Sequence, residues 1–196
     1  YGQPTLDVLP NVASAITPAK VTDGQLWYTF ASGPVRFIVL NSGIDESDTF
    51  IDEVAQATFV EETIASASEP WIVVCFHRPA YTTGNEHYPG STRMREMCEG
   101  FKDMGVDLVV NGHSHVYERH MDSTGLLHVA CGTGGAALVA AKVNEDPDDT
   151  LDAAGSLRFI AGTYGFLHCT ADTVRLAVSF TDTKGSVLDS FTLVKS

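Results

Sequence analysis

Two histidines one residue apart, His113 and His115, have the residue type and spacing that best fit metal chemistry in this chain. They follow an apolar run from Val106 to Val110 and the turn-forming pair Asn111-Gly112, so a buried strand is predicted to end directly before them. Ligands gather at the carboxyl ends of strands in open α/β sheets. Neutral imidazole is also the commonest protein ligand for divalent transition metals. The pattern indicates a metal site, although hydrogen-bonded loop histidines would show the same local spacing.

A third histidine, His77, ends a second buried-strand pattern that begins at Trp71. Arg78-Pro79 follows it, and proline cannot continue a central strand. If the two predicted strands are parallel neighbours, their carboxyl ends meet at one edge of the sheet. We therefore expect His77 to lie beside the His-x-His pair.

These strings resemble a known family. The string Val-x-x-His that ends at His77, and the string Gly-His-x-His-Val-Tyr-Glu-Arg that ends at Arg119, are similar to the last two sequence blocks of the calcineurin-like metallophosphoesterases. The resemblance is strongest to the purple acid phosphatase branch and runs from about Leu26 to the C-terminus. It implies metal-dependent hydrolysis of phosphomonoesters at a dinuclear metal site.

The resemblance also implies roles for single histidines. His77 and His113 would bind the divalent ion and His115 the ferric ion, so the implied cofactors are two metal ions, Fe(III) with Fe(II), Zn(II) or Mn(II). His87, ten residues after His77 in a polar loop, matches a family histidine that contacts the phosphate and is proposed to protonate the leaving group.

Other residues near the motif are assigned supporting roles. Arg78 either faces the phosphate or pairs with a carboxylate, and both interpretations stay open. Residues expected to brace the histidine loop by hydrogen bonds and packing are Asn111, Tyr117, Glu118 and Arg119. Histidines off the motif that are predicted to be structural are His120, His128 and His168. The segment Gly132-Thr-Gly-Gly135 lacks the Lys-Ser/Thr of a P-loop and is predicted to be a tight backbone passage beside the site.

The family's remaining metal ligands are not found in context. In relatives they come from Asp-x-Gly, Gly-Asp-x-x-Tyr and Gly-Asn-His-Glu/Asp blocks. The string Gly84-Asn-Glu-His87 contains the residues of the last block, but not in its order. Histidines without a carboxylate leave two cations with no anion to offset their repulsion. We therefore expect an N-terminal segment or companion chain to supply the missing ligands. The alternative is a non-catalytic structural or assembly subunit that retains the fold.

Composition limits the partners. A length of 196 residues and 44% hydrophobic content favour one domain with a sizeable core. The net charge of −13 argues against nucleic acid and anionic membranes, so a phosphate ester would have to be attracted locally by metals and histidines. No apolar run approaches the ~20 residues of a membrane helix. The four cysteines have no C-x-x-C spacing, so a zinc-cysteine site is not expected. Cys75 and Cys131 lie in predicted strands and fit buried apolar positions better than a disulfide framework, and the disulfide state of all four stays open. We expect a secreted or extracellular protein, and homo-oligomerisation stays open.

The expected fold is α/β, with β-α-β units feeding a mixed sheet and a mainly antiparallel β part after them, as in the two-sheet metallophosphoesterase sandwich. We expect one incomplete domain: an irregular leader (1–24), a β-α-β part with the histidine motifs (25–120) and a β-rich part (121–196). Helices are predicted at 48–67, capped by Ser47 or Asp48 and with Val54 on its apolar face, and at 91–104. The central strands 35–40 and 71–76 are expected to leave an unpaired edge. The other predicted strands are 26–31, 106–110, 126–131, 159–161, 165–170, 174–181 and 187–194.

Overall fold

A computed structural model describes residues 26–43, 52–84, 87, 89–140 and 155–195. The predicted leader therefore lies outside the described residues. The strands are β1 Tyr28–Ser32, β2 Val35–Val39, β3 Trp71–Phe76, β4 Leu108–Asn111, β5 Tyr117–Asp122, β6 Leu127–Cys131, β7 Gly155–Ala161, β8 Gly165–Ala171, β9 Arg175–Asp182 and β10 Val187–Val194. The helices are α1 Glu53–Ser66, α2 Thr92–Cys98 and α3 Phe101–Met104.

The strands form two sheets. A seven-stranded sheet has the order β1-β2-β3-β4-β6-β5-β7, and β2, β3, β4 and β6 run parallel within it. The remaining strands of that sheet, β1, β5 and β7, pair antiparallel with their neighbours. A three-stranded antiparallel sheet has the order β10-β9-β8. The predicted mixed sheet followed by antiparallel strands is confirmed.

The seven-stranded sheet is buried on both faces, which explains why its central strands are apolar nearly throughout. One face packs on the helices, with Ile38 and Val74 fully buried against Val60 of α1. The other face packs on the small sheet, where Trp71 meets Phe180 in one buried cluster. This layering of helices, large sheet and small sheet holds the strand ends rigidly.

Helix α1 starts later than predicted. Its N-cap is Asp52, whose side chain accepts a hydrogen bond from Ala55 N at 2.9 Å. The predicted caps, Ser47 and Asp48, lie outside the described residues. The prediction for Val54 is wrong, because that side chain is 79% exposed. The buried stripe of the helix consists of Gln56, Val60 and Thr63.

Gln56 explains the shifted stripe. Its side-chain oxygen accepts from Asn41 N at 2.7 Å and its amide nitrogen donates to Asn41 O at 3.0 Å. A polar residue thus occupies the core-facing position because it satisfies the backbone of the segment that follows β2. Because glutamine is polar, the spacing of apolar residues along the helix predicts that Gln56 faces solvent.

The predicted helix 91–104 is two helices. Ser91 caps α2 by accepting from Met94 N at 3.2 Å. Gly100 then adopts a left-handed conformation, with φ of 82°, and separates α2 from α3. Gly105 ends α3 in the same conformation, as predicted.

Two further differences concern the sheet. The predicted elements do not include β5, the strand that continues directly from the histidine motif and lies between β6 and β7. The expected unpaired edge at the central strands is also wrong. Each has neighbours on both sides, since β2 lies between β1 and β3, and β3 lies between β2 and β4. Within the described residues, no helix has the length and apolar character needed to cross a membrane.

Candidate metal centre

The candidate site lies where β3 and β4 end side by side. These parallel strands align Phe76 with Asn111, so His77 and Gly112 are the next residues on neighbouring chains. The strand ends are tied together, because Gly112 N donates to His77 O at 3.0 Å and Asn111 Nδ2 donates to Phe76 O at 3.1 Å. Asn111 thus holds the end of β4 against the end of β3, directly before the histidines.

The backbone turns sharply after Gly112. Ser114 N donates to Gly112 O at 2.7 Å and Val116 N donates to Ser114 O at 2.8 Å. Between these bonds His113 has a φ of 62°, a left-handed conformation that is uncommon for residues other than glycine. Such strain persists only where surrounding contacts impose it, and it occurs preferentially at functional sites.

The turn brings three imidazole rings together. His113 Nδ1 lies 3.1 Å from His77 Nε2, and their ring centroids are 4.9 Å apart at an interplanar angle of 72°. His87 approaches His113 from the loop after β3, with ring centroids 3.9 Å apart and tilted by 33°. His87 therefore lies beside the pair, where the family resemblance places it.

The site favours neutral imidazoles. Burial lowers the pKa of His113 to about 4, with further lowering by the nearby His87 and His77. Burial also lowers the pKa of His77, followed by the charges of His115 and Arg78. Neutral imidazole is the form that ligates metals, so these rings do not need to lose a proton at neutral pH before binding.

The donor spacing fits a metal ion. Two nitrogens that each lie about 2.1 Å from one ion are about 3.0 to 3.4 Å apart at ordinary coordination angles. The separation of 3.1 Å between His77 Nε2 and His113 Nδ1 falls in that interval. In this structure the same two nitrogens are within hydrogen-bonding distance of each other.

His115 is oriented separately. Its Nδ1 lies 2.9 Å from Ala137 O, and its own carbonyl accepts from Val139 N at 3.1 Å. A backbone carbonyl on one ring nitrogen fixes the tautomer that leaves the other nitrogen available, as in many metal-binding histidines. His115 lies near enough to lower the pKa of His77 and of His113, and no bond joins its ring to theirs. Its role as a ligand stays a prediction.

The glycine-rich segment passes close beside the histidine turn. A Cβ built on Gly132 would overlap the carbonyl oxygen of Ser114 and lie 3.1 Å from the Cα of His115. A Cβ on Gly84 would overlap the hydroxyl of Ser114. Two backbones thus enclose Ser114 from different sides, which matches the expectation of a tight passage next to the site.

Of the residues expected to brace the histidine loop, Asn111 holds the adjacent strand ends together, and the other three contact other elements. Tyr117 OH and Arg119 Nε each donate to Asp189 Oδ2 at 2.7 Å, which joins β5 to β10 of the small sheet. Glu118, fully buried, accepts from Thr83 N and from Thr83 Oγ1, the latter at 2.6 Å. Glu118 therefore supports the loop after β3 rather than the His-x-His turn.

The remaining assignments have clear structural counterparts. His120 Nε2 lies 3.1 Å from Glu118 Oε2, and His128 Nε2 lies 3.1 Å from Asp122 Oδ2, both away from the candidate centre. His168 is exposed on β8. Arg78 donates its backbone N–H to Ser42 Oγ at 2.9 Å, and its charge contributes to the lowered pKa of both His77 and His113. All the cysteines are free thiols.

The hydroxyl groups of Thr82 and Ser114, which lie beside the histidine turn, were not predicted from the sequence. Thr82 Oγ1 donates to Ser114 Oγ at 2.7 Å and accepts from Gly84 N at 2.9 Å. The available signal was a pair of threonines before a glycine in a polar loop, with a serine between the two motif histidines. In the part of the chain that the structure describes, no three His, Cys, Asp or Glu side chains are grouped so that they could hold a metal ion.

Comparisons with known proteins identify the family of the chain. The sequence model of the calcineurin-like phosphoesterase family matches residues 8–117, so the match begins before the described residues and ends at the start of β5. Purple acid phosphatase 18 from Arabidopsis thaliana is 31% identical over 134 residues, which cover 64% of this chain and 30% of that protein. The chain therefore spans under a third of the length of this relative.

Solved structures share the fold. The purple acid phosphatase PPD1 from yellow lupin (Lupinus luteus) seeds superposes with a TM-score of 0.69 at 23% identity, over 91% of this chain and 34% of that one. GAP50, described as the anchor in the inner membrane complex of Plasmodium, superposes with a TM-score of 0.68 at 19% identity, over 88% and 56%. At these identities the likeness establishes the fold alone.

A mixed sheet packed between helices and a second, antiparallel sheet matches the metallophosphoesterase fold. The chain belongs to the calcineurin-like phosphoesterase family. Purple acid phosphatases 18 and 23 from Arabidopsis thaliana, each 31% identical to the chain over the matched part, are among its relatives.

Proposed function

We propose that this chain contributes the histidine half of a dinuclear metal site in an enzyme that hydrolyses phosphomonoesters. The observation that supports the proposal most directly is the 3.1 Å separation between His77 Nε2 and His113 Nδ1. His77 and His113 would hold the divalent ion, and His115 would hold the ferric ion. The partner metal of iron would be Fe(II), Zn(II) or Mn(II).

The metals, when bound, supply Lewis-acid polarisation of the phosphoryl group and lower the pKa of the attacking water. The chain's own residues then have three tasks. His77 and His113 hold one ligand position each from rigid strand ends. His115, oriented by Ala137 O, presents its free ring nitrogen. His87, next to His113, donates a proton to the leaving oxygen of the ester.

Carboxylates are needed to complete such a site. Neutral imidazoles offset none of the charge of two adjacent cations, and the described residues do not group a carboxylate with the histidines. We propose that polypeptide outside the described residues, either an N-terminal segment or a companion chain, brings the anionic ligands. A secreted or extracellular location is also proposed, and cell fractionation tests it.

The test measures metal and turnover on the intact natural product. Bound iron, zinc and manganese are quantified together with hydrolysis of p-nitrophenyl phosphate. We expect two metal ions per site and turnover for the parent protein. His77→Ala should lose metal and activity, whereas His168→Ala, which replaces an exposed histidine on β8, should retain both.

His87 has its own test. His87→Ala should retain both metals yet lose about 10²-fold in turnover of an alkyl phosphate, whose leaving group needs a proton. Hydrolysis of p-nitrophenyl phosphate should fall less, because that leaving group scarcely needs protonation. Undiminished alkyl phosphate hydrolysis would remove the proposed role. If the intact product has neither bound metal nor turnover, the non-catalytic structural or assembly subunit is favoured instead.

A further inference from the structure

We infer that Thr83 and Glu118 are positioning residues that set the location of His87 relative to His113. The catalytic consequence of this inference rests on the proposed function. The positioning itself rests on a continuous path of contacts between β5, the turn at 82–84 and His87. None of the motif assignments predicts this path.

The path begins at a buried carboxylate. Glu118 is fully buried on β5 and accepts two hydrogen bonds from the backbone N–H of Thr83, at 3.0 and 3.1 Å, and one from Thr83 Oγ1 at 2.6 Å. His120 Nε2 lies 3.1 Å from the same carboxylate. Hydrogen bonds are stronger away from water, and donors from Thr83 and His120 converge on this one side chain. Thr83 is therefore held in one place with respect to β5.

A second attachment lies one residue earlier. Thr82 Oγ1 donates to Ser114 Oγ at 2.7 Å, and Ser114 is fully buried directly between the two motif histidines. Gly84 N donates back to Thr82 Oγ1 at 2.9 Å, and Gly84 packs so closely on Ser114 that a Cβ would overlap its hydroxyl. The turn at 82–84 is thus fastened both to β5 and to the His-x-His turn.

The turn then fixes the backbone of His87. His87 N donates to Gly84 O at 3.0 Å, and Gly90 N donates to His87 O at 2.7 Å. Gly90 in turn lies against Ala80 O, where a Cβ would come within 2.5 Å of that oxygen. Both backbone groups of His87 are consequently bonded within a loop whose base is anchored by Glu118 and Ser114.

Positioning at this level has a chemical consequence. Proton donation requires the donor to reach the leaving oxygen, and a misplacement of about 1 Å from a remote change can cost 10²-fold in rate. Loosening Thr83 should therefore affect protonation of the leaving group more than binding of the phosphate. If Thr83 had only a structural role, its substitution would lower stability and would affect protonation of the leaving group and binding of the phosphate equally.

The experiment compares three variants of the intact, zinc-loaded protein. Thr83→Val removes the 2.6 Å bond to Glu118 while keeping the side-chain shape. Thr83→Ser retains the hydroxyl. Thr29→Val is the matched control, because buried Thr29 likewise donates one hydrogen bond, to Phe37 O at 2.8 Å, but lies on β1 away from the site.

Two readouts are used. The nuclear Overhauser effect between the ring protons of His87 and His113, in protein with labelled histidine, reports positioning without reference to activity. The kcat/KM values for p-nitrophenyl phosphate and glycerol 2-phosphate report protonation of a good and a poor leaving group.

We expect Thr83→Val to weaken the Overhauser effect and to lower kcat/KM for glycerol 2-phosphate by about 10-fold or more, with a change of less than about 3-fold for p-nitrophenyl phosphate. Thr83→Ser and Thr29→Val should match the parent in both readouts. An unchanged Overhauser effect in Thr83→Val overturns the inference. If the parent hydrolyses neither ester while the Overhauser effect still responds, the proposed function fails and the positioning role stands.

Discussion

A methyl group added at Gly132 would collide with the backbone of the histidine turn in the candidate centre. The new Cβ would overlap the carbonyl oxygen of Ser114, lie 2.7 Å from its carbonyl carbon and lie 3.1 Å from the Cα of His115. Because these atoms are backbone, no side chain can rotate away. Overpacking of this kind costs about 1 to 3 kcal/mol. In a chain of this length each kcal/mol lowers Tm by about 2 to 4 °C, so Gly132→Ala should lower Tm by about 2 to 12 °C.

The same substitution should weaken metal binding. Relief of the overlap moves the backbone that carries His113 and His115, and it disturbs the bond from His115 Nδ1 to Ala137 O. Loss of such an orienting contact typically costs 10- to 100-fold in metal affinity. Zinc titration and scanning calorimetry on the intact protein measure both effects.

Gly134→Ala is the matched control within the same segment. Its Cβ would meet nothing within 4 Å. The substitution should change stability by no more than about 0.5 kcal/mol and leave zinc affinity unchanged. If Gly132→Ala melts and binds zinc like Gly134→Ala, the close passage beside the histidine turn is refuted.

Two other substitutions test the frame around the site. Burial would raise the pKa of Asp189, but hydrogen bonds from Arg119 and Tyr117 outweigh it and hold the pKa below its ordinary value. Its stabilisation is therefore full above the unfolded-state pKa of about 4 and lost as pH falls through the lower folded pKa. Asp189→Asn should destabilise the protein by about 1 to 3 kcal/mol at pH 7 and flatten this acid dependence in urea titrations, and an unchanged acid limb would contradict it. Gln56→Leu should cost about 1 to 3 kcal/mol by unpairing the backbone of Asn41, whereas the exposed Glu62→Leu should not.

The parts of the fold that follow from local pattern were predictable. Apolar runs before His77 and before the His-x-His pair identify adjacent buried strands, and two strand ends at one edge bring their histidines together. The glycine at position 105 likewise predicted where α3 ends.

Features that depend on partners distant in sequence were not predictable. Gln56 lies on the buried side of α1 only because it bonds Asn41, and Val54 is exposed as a consequence. Strand β5 has the charged residues Glu118 and Arg119 in succession, and Glu118 is buried because Thr83 and His120 satisfy its carboxylate. No periodicity encodes such pairings, since each depends on where two separate segments meet.

We propose above that His77 and His113 hold one metal ion between them, and anomalous diffraction at the zinc edge, from crystals of the zinc-loaded intact protein, locates that ion. We expect a peak about 2.0 to 2.2 Å from both His77 Nε2 and His113 Nδ1. A fully occupied zinc peak elsewhere, with these two nitrogens still 3.1 Å apart and no ion between them, would contradict it.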